Sequence, residues 1–103
     1  MRFSFKLARS AKRNLQEISD YWMARAGEDV ALRIVTGILE TIITLSSQPK
    51  AGAPAVQFGE GVRKIAAGNY IIYYRLRAST AVEILHVFHG ARDQQKAWQG
   101  KPR

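Results

Sequence analysis

The chain has 103 residues, the size of one ordinary domain, and no cysteine, which excludes a disulfide scaffold and any thiolate metal site or nucleophile. Its hydrophobic share of 47% is typical of globular proteins, and no stretch approaches the roughly 18 consecutive apolar residues of a membrane helix. Lysine and arginine number 16 against 8 acidic residues, and the net charge of +8 favours polyanionic or acidic partners. Because the N-terminus also lacks the apolar core of a signal peptide, we expect one cytoplasmic domain, residues 1–103, with a basic tail from about residue 94.

The first predicted element is a strand. Residues 2–7 alternate polar with apolar side chains, which places Phe3, Phe5 and Leu7 on one face. Such alternation is typical of a strand with one buried face, so we expect this segment to join the main sheet.

A helix is predicted for residues 11–26. Its apolar stripe recurs at spacings of four, three and four residues, at Ala11, Leu15, Ile18 and Trp22. Ser10 suits the N-cap position, because its hydroxyl can accept a hydrogen bond from a free backbone N–H of the first turn. Gly27 suits the position after the helix, where a left-handed backbone conformation ends it without steric cost.

A second helix follows at once, with Glu28 and Asp29 where the helix dipole favours negative charge. It carries two apolar stripes about 100° apart. The first comprises Ala31, Ile34, Val35, Ile38, Ile42 and Leu45, and the second comprises Leu32, Leu39 and Ile43. Since this arc is wider than one sheet contact needs, either the first helix covers the second stripe or part of it stays open as a groove for another chain's helix. We expect coverage for most of the arc and docking on the remainder.

Glycine and proline mark the rest of this helical region. Gly37 inside the second helix costs about 1 kcal/mol relative to alanine, so we expect another backbone to approach closely there. Residues 48–54 contain two prolines and a glycine, which end the helix and predict a loop that continues through residues 55–60.

Three segments between residues 61 and 93 predict an antiparallel meander, separated by Gly68-Asn69 and by a break at residues 77–80. The middle segment, Tyr70–Arg77, is apolar on both faces at its start, and residues 82–88 are apolar at nearly every position. Both are therefore predicted to be internal strands. Asp93 is placed to cap a short helix over residues 94–98.

Few groups in the chain suggest catalysis. His86 and His89 are three residues apart on a strand, so they point to opposite faces and cannot share a metal ion. Simple alternation puts Glu83 on the same face as His89, but about 20 Å away along an extended strand, which is too far for an acid–base pair. We therefore expect no catalytic residue, no metal and no cofactor.

Basic residues interleaved with aromatic ones remain to be explained, and they comprise Arg63, Lys64, Arg75, Arg77, Arg92 and Lys96 with Tyr70, Tyr73, Tyr74 and Trp98. Cations beside aromatic faces suit phosphate contact and base stacking, and they equally form hot spots of protein interfaces. A third interpretation pairs Arg92 with a carboxylate and buries the tyrosines as strand packing. For the tyrosines we favour this third interpretation.

Several motifs, in order along nearly the whole chain, resemble the RelE/ParE toxin superfamily, and its ParE branch most. They are Ala11, Leu15, Ile18 and Tyr21 of the first helix, the Pro49-x-x-Gly52 loop, Gly61-Val62-Arg63, GNYIIYYR at residues 68–75 and VEILHVFHGARD at residues 82–93. The resemblance implies an α+β fold of order β-α-α-β-β-β, with an antiparallel sheet and a helical hairpin packed on one face. It also implies the toxin role in a bacterial type II toxin–antitoxin system.

The resemblance further implies that a cognate antitoxin, ParD-like and acidic, forms a hetero-oligomer with the toxin through an amphipathic C-terminal segment. The broad apolar arc and the charge of +8 suit such a partner. The expected antitoxin contacts are Leu32, Val35, Leu39, Ile43, Tyr73 and Arg75. No membrane partner is expected.

Two activities divide the superfamily: RelE-like members cleave ribosome-bound messenger RNA, and ParE-like members inhibit DNA gyrase by binding. Lys64 and Arg92 match basic positions of the nuclease branch, but Ile71 stands where that branch has an arginine. Trp98 stands where it has a terminal tyrosine, and an indole cannot transfer a proton as a phenol can. We therefore expect growth arrest by gyrase inhibition, with messenger RNA cleavage or a non-toxic antitoxin-binding module as alternatives. The expected target contacts are Arg63, Lys64, Arg92, Asp93, Lys96 and Trp98.

Overall fold

The structure has the predicted α+β order β-α-α-β-β-β, with one further short strand after the second helix. The computed structural model describes residues 4–77 and 81–91 together with Trp98. In chain order the elements are β1 (Ser4–Leu7), α1 (Arg9–Ala26), α2 (Glu28–Leu45), β2 (Ala53–Pro54), a 3₁₀ turn (Val56–Phe58), β3 (Arg63–Ala67), β4 (Tyr70–Arg77) and β5 (Ala81–His89). Trp98 is helical, and the rest of the predicted helix at residues 94–98 lies outside the described residues.

The sheet has the strand order β1-β5-β4-β3-β2, and β3, β4 and β5 form the predicted antiparallel meander. The prediction that β4 and β5 are internal strands is confirmed. β2 adds a two-residue edge strand within the predicted loop, and its Pro54 is tolerated there because an edge strand has one unpaired side.

β1 pairs with β5 in parallel, so the sheet is mixed and not antiparallel throughout. Alternating side chains specify a buried face but carry no information about strand direction, which is why the sequence did not show this pairing. β1 is also more exposed than predicted: Leu7 packs against the core, but Phe5 remains 42% exposed. Phe3 lies outside the described residues.

The sheet has a helical face, against which α1 and α2 pack, and a back face. The predicted first stripe of α2 lies in the core of the helical face, where Ile38 and Ile42 meet Ile72, Tyr74 and Ile84. A smaller cluster on the back face comprises Ala55, Val62, Tyr73 and Phe88, with Phe58, Ile71, Leu85 and Trp98 packed against it. Tyr70, Tyr73 and Tyr74 are all buried, as strand packing required.

The second stripe of α2 is largely uncovered. Leu32 is 64% exposed and Ile43 is 52% exposed, while Leu39 and Val35 pack against the edge of the core. α1 therefore does not cover the whole second stripe, whereas the other apolar residues of the arc are buried or half-buried, in agreement with the expected coverage of most of the arc. The apolar side of α1 faces the sheet, so little of it is left to cover the outer side of α2.

Two side chains of α1 complete the hydrogen bonding of β5 beyond the point where β1 ends. The Ser10 hydroxyl donates to the backbone oxygen of Leu85 at 2.6 Å, and Asn14 Oδ1 accepts from the backbone N–H of Val87 at 3.0 Å. Ser10 is therefore not the N-cap of α1. That position belongs to Ala8, which has no side chain to cap with, and the helix begins two residues earlier than predicted. Gly27 ends α1 with φ of 94°, as predicted.

We expect Asn14→Ala to lower the free energy of unfolding by about 1–3 kcal/mol, because it leaves the buried N–H of Val87 without its acceptor. Urea denaturation of purified protein measures the loss. Gln16→Ala on the same helix is the control, since its hydrogen bond to Asp20 is exposed, and it should change stability by about 0.5 kcal/mol or less. Equal losses in the two variants would contradict the edge-completing role of Asn14.

A β-bulge displaces side chains in β5. Tyr73 pairs with His86 and Tyr74 with Ile84, which leaves Leu85 as an extra residue. Because of this extra residue Glu83 and His89 lie on opposite faces, and the expectation that they share a face is wrong. His86 contacts Phe88 on the back face and His89 contacts Tyr70 on the helical face, so the prediction that the two histidines point apart is confirmed.

Within the described part of the chain, no helix is long and apolar enough to cross a membrane.

Candidate functional site

An apolar surface lies on the outer side of the two helices. A cleft of about 220 Å³ runs between them, lined by Ser19, Met23, Glu28, Ala31, Leu32 and Val35. Met23 is 50% exposed, and Leu39 and Ile43 continue the same stripe along α2. We call the set Met23, Leu32, Val35, Leu39 and Ile43 the hairpin surface. Large exposed apolar side chains in one stripe are the feature that a partner helix recognises.

The six residues expected to contact an antitoxin do not form one surface. Leu32, Val35, Leu39 and Ile43 lie together on α2, whereas Tyr73 and Arg75 lie on the back face of the sheet. Tyr73 is only 2% exposed, so it offers almost no surface to a partner. Met23 was not among the predicted contacts, although its position directly after Trp22, off the core stripe of α1, indicates exposure.

The back face carries an aromatic cluster that Trp98 completes. The Trp98 ring lies 4.4 Å from that of His86, 5.3 Å from that of Tyr73 and 5.1 Å from that of Phe58, measured between centroids. Burial raises the pKa of the Tyr73 phenol above its ordinary value. The titratable groups in this cluster are therefore covered by rings, an arrangement that suits packing better than proton transfer to a substrate.

The residues expected to contact a target are also divided. Arg63 Nε donates to the backbone oxygen of Gly52 at 3.0 Å and Arg63 Nη2 to that of Lys50 at 3.2 Å, so this side chain holds the loop before β2. Lys64 lies on the back face in register with Tyr73, close to the cluster that contains Trp98. Arg92, Asp93 and Lys96 lie outside the described residues.

A buried carboxylate on the back face joins two arginines. Glu83 Oε1 accepts from Arg75 Nε at 3.2 Å and from Arg77 Nη1 at 3.0 Å. The arginine side chains remain 42% and 55% exposed, while that of Glu83 is 12% exposed. Arg75 and Arg77 were predicted to be part of the basic cluster, but Glu83 was considered only as a partner of His89, because its ion pairs depend on the pairing of β4 with β5.

Two further clefts flank a hydrogen bond from Trp22 Nε1 to the Tyr70 hydroxyl, 2.8 Å long. One, of about 410 Å³, runs between α1 and β5, and the other, of about 350 Å³, lies beside α2 and the turn after β3. Neither was predicted. In the parts of the chain that the structure describes, no three histidine, aspartate or glutamate side chains converge as metal ligands.

The chain is similar in sequence to curated proteins over most of its length. A curated relative, Toxin ParE1 of Caulobacter vibrioides, is 31% identical over 85 residues, which is 82% of this chain and 86% of the relative. Toxin ParE1 of Mycobacterium tuberculosis is 26% identical over 89 residues, which is 86% of this chain and 91% of the relative.

Two solved structures share the fold. One, titled as the chromosomal ParDE toxin–antitoxin system from P. aeruginosa, superposes with a TM-score of 0.74 at 24% identity over 85% of this chain and 96% of that chain. The other, titled as the toxin–antitoxin complex RelBE2 from Mycobacterium tuberculosis, has a TM-score of 0.66 at 24% identity over 86% of this chain and 99% of that chain. A family model described as the ParE toxin of type II toxin–antitoxin system, parDE, matches residues 5–94. The chain therefore belongs to the ParE toxin family of type II toxin–antitoxin systems.

Proposed function

We propose that this ParE-type toxin arrests growth by binding DNA gyrase, and that a cognate antitoxin neutralises it by covering the hairpin surface. The observation that carries the first half is the position of Trp98. Its ring lies against both Tyr73 and His86, the titratable side chains in register with Lys64 across the back face. This favours action by binding over action by chemistry.

A ribonuclease needs groups that reach the scissile phosphate and exchange protons with it. Here the Tyr73 ring is buried under Phe58 and Trp98, and its raised pKa keeps the phenol protonated. Ile71, in the position where the nuclease branch has an arginine, packs against the same cluster. An apolar side chain cannot stabilise the charge that develops on a phosphate.

The proposed binding of the antitoxin to the hairpin surface is supported by the exposed apolar area of that surface. Leu32 and Ile43 leave more than half of their surface open, in a stripe that fits the apolar face of an amphipathic helix. The two solved structures of the same fold are titled as a toxin–antitoxin system and a toxin–antitoxin complex. We infer that this chain likewise assembles with an antitoxin as a hetero-oligomer.

Induction of the chain without antitoxin in a bacterial host tests the proposal. Plasmid supercoiling should fall before protein synthesis does, because gyrase is the primary target. Co-expression of the small protein encoded by the neighbouring reading frame should restore both growth and supercoiling. Growth arrest with unchanged plasmid topology would overturn the gyrase target, and no growth arrest would favour the non-toxic antitoxin-binding module.

Messenger RNA cleavage is the second candidate function. One observation favours it: Lys64, Tyr73 and His86 lie in register across β3, β4 and β5, which is a basic and titratable row on one face. Primer extension on abundant transcripts after induction separates the two functions. New cuts within translated regions would support cleavage, whereas intact transcripts alongside relaxed plasmid would support gyrase inhibition.

A further inference from the structure

The positive charge of the chain is unevenly divided between helices and sheet. Residues 9–45, which hold α1 and α2, contain five basic and five acidic residues, so the helical hairpin is neutral. The remainder contains eleven basic and three acidic residues, which accounts for the whole excess of +8. The hairpin surface therefore offers a partner apolar contact without net charge, and the surplus positive charge lies on other surfaces.

On the back face this charge gathers around Glu83. Lys6 of β1 and Arg75 of β4 both lie in register with Glu83 of β5, and Arg77 follows two residues after Arg75. Glu83 is the one acidic residue on a strand among those that the structure describes. Three cations thus surround one carboxylate, and Lys64 adds a fourth on the neighbouring strand β3.

Glu83 holds the two guanidinium groups of Arg75 and Arg77, which we call the arginine pair, in fixed positions. One carboxylate oxygen accepts a single N–H from each arginine. Because a guanidinium carries five N–H donors, most donors of the arginine pair remain available to solvent or to a ligand. Two like charges held beside one buried carboxylate repel each other, and an anion bound between them would relieve this repulsion.

We propose that the back face around the arginine pair binds the phosphate groups of duplex DNA, so that the toxin contacts DNA held by gyrase. This inference rests on the proposed gyrase target. Arginine forks match phosphate oxygens in geometry and bind them with charge-assisted hydrogen bonds. Lys6 on β1 and the arginine pair on β4 are separated by two inter-strand spacings of the sheet, about 10 Å. Each strand of duplex DNA carries one phosphate per about 3.4 Å of helix axis, so this separation spans several phosphates along the axis.

Duplex DNA fits this surface better than an acidic protein segment does. Protein partners depend on apolar or aromatic anchors that become buried, and none lies among Lys6, Arg75 and Arg77. Among the exposed large apolar side chains, Met23, Leu32 and Ile43 lie together on the hairpin surface instead. A phosphate backbone requires only well-placed cations on an accessible surface.

The test is fluorescence anisotropy of the free toxin with a short labelled DNA duplex over a range of salt concentrations. The double variant Arg75→Gln, Arg77→Gln should reduce the slope of log affinity against log salt by about two, a loss of roughly thirtyfold near 0.15 M salt. The control Arg13→Gln, Arg33→Gln removes the same charge from exposed helix positions and should change affinity by less than about threefold.

A second double variant distinguishes loss of DNA contacts from loss of the folded structure, which the arginine-pair variant could suffer because it leaves Glu83 without either arginine. Lys6→Gln, Arg77→Gln retains the bond between Arg75 and Glu83 and should lose DNA affinity to a similar degree. Three results would overturn the inference: equal losses in the arginine-pair variant and the control, tighter binding of single-stranded RNA of the same length, or a loss of antitoxin affinity with DNA affinity unchanged.

Gyrase measurements separate this inference from the proposed function. The arginine-pair variant should still bind gyrase without DNA but should inhibit supercoiling less than the unaltered chain does. DNA binding that depends on the arginine pair, together with no inhibition of gyrase, would sink the proposed function alone. Inhibition of gyrase at full strength by the arginine-pair variant, whether or not this variant still binds DNA, would sink the DNA contact alone.

Discussion

Replacement of Gly52 by alanine is expected to destabilise the toxin by about 3 kcal/mol, since overpacking a close contact costs on this order. A Cβ at Gly52 would lie 2.5 Å from the backbone oxygen of Lys64 and 2.7 Å from the Tyr74 hydroxyl. Gly52 also donates its N–H to that hydroxyl at 2.9 Å, and Tyr74 is fully buried. Neither neighbour can retreat without disturbing β3 or the core, so the loop itself must move.

Gly37→Ala is the matched control, with the opposite sign. Apart from the neighbouring backbone of α2 itself, no atom of the described residues lies within 4 Å of the position that a Cβ would take at Gly37, so the close approach that the sequence suggested does not occur among these residues. The substitution should stabilise α2 by about 0.5–1 kcal/mol, because alanine loses less backbone entropy in a helix. Thermal or urea unfolding of both variants gives the comparison. A Gly52→Ala protein as stable as the unaltered chain would show that this contact is not tight.

The second large effect concerns the antitoxin. Leu32→Glu and Ile43→Glu, tested singly, should each weaken antitoxin binding by at least thirtyfold, about 2 kcal/mol, which is the loss typical of a central interface residue. Both side chains are more than half exposed, and glutamate suits a helix, so the toxin should fold normally. Isothermal titration calorimetry with the protein from the neighbouring reading frame measures the affinity.

Gln57→Glu controls for the added negative charge, because it lies exposed in the 3₁₀ turn between β2 and β3, away from both helices. It should leave antitoxin affinity within about twofold, as expected for a residue outside the interface. If Leu32→Glu and Gln57→Glu weaken binding equally, the hairpin surface is not the antitoxin site.

Periodicity predicted those parts of the fold that depend on one segment at a time. The stripe through Ala31, Ile38 and Ile42 lies in the core, and Gly27 ends α1 with the positive φ that glycine allows. These features follow from local geometry: a helix repeats its faces every 3.6 residues, and a left-handed backbone favours glycine.

Features that depend on pairing between distant segments could not be predicted in this way. The hydroxyl of Ser10 bonds to Leu85 and not to its own helix, because β1 ends and leaves that carbonyl without a strand partner. The extra residue in β5 moves Glu83 and His89 to opposite faces, and nothing in the local sequence marks its position.

The candidate site likewise depends on contacts between distant segments that the local sequence does not specify. The sequence identified Leu32 and Ile43 as apolar residues beyond the needs of the core, but not that α1 leaves both exposed. It listed Arg63 among target contacts, although this side chain holds the loop at Gly52. It also related both the charge of +8 and the apolar arc to the antitoxin, whereas the charge excess lies entirely outside the helices.

A supercoiling assay with purified components tests the central claim most directly. Relaxed plasmid, gyrase and ATP are incubated with increasing toxin, alone and after addition of the antitoxin. Loss of supercoiled product as toxin rises, restored by the antitoxin, is the predicted result. Full supercoiling at a toxin concentration that saturates the antitoxin, with new cuts in messenger RNA after induction in cells, would contradict it.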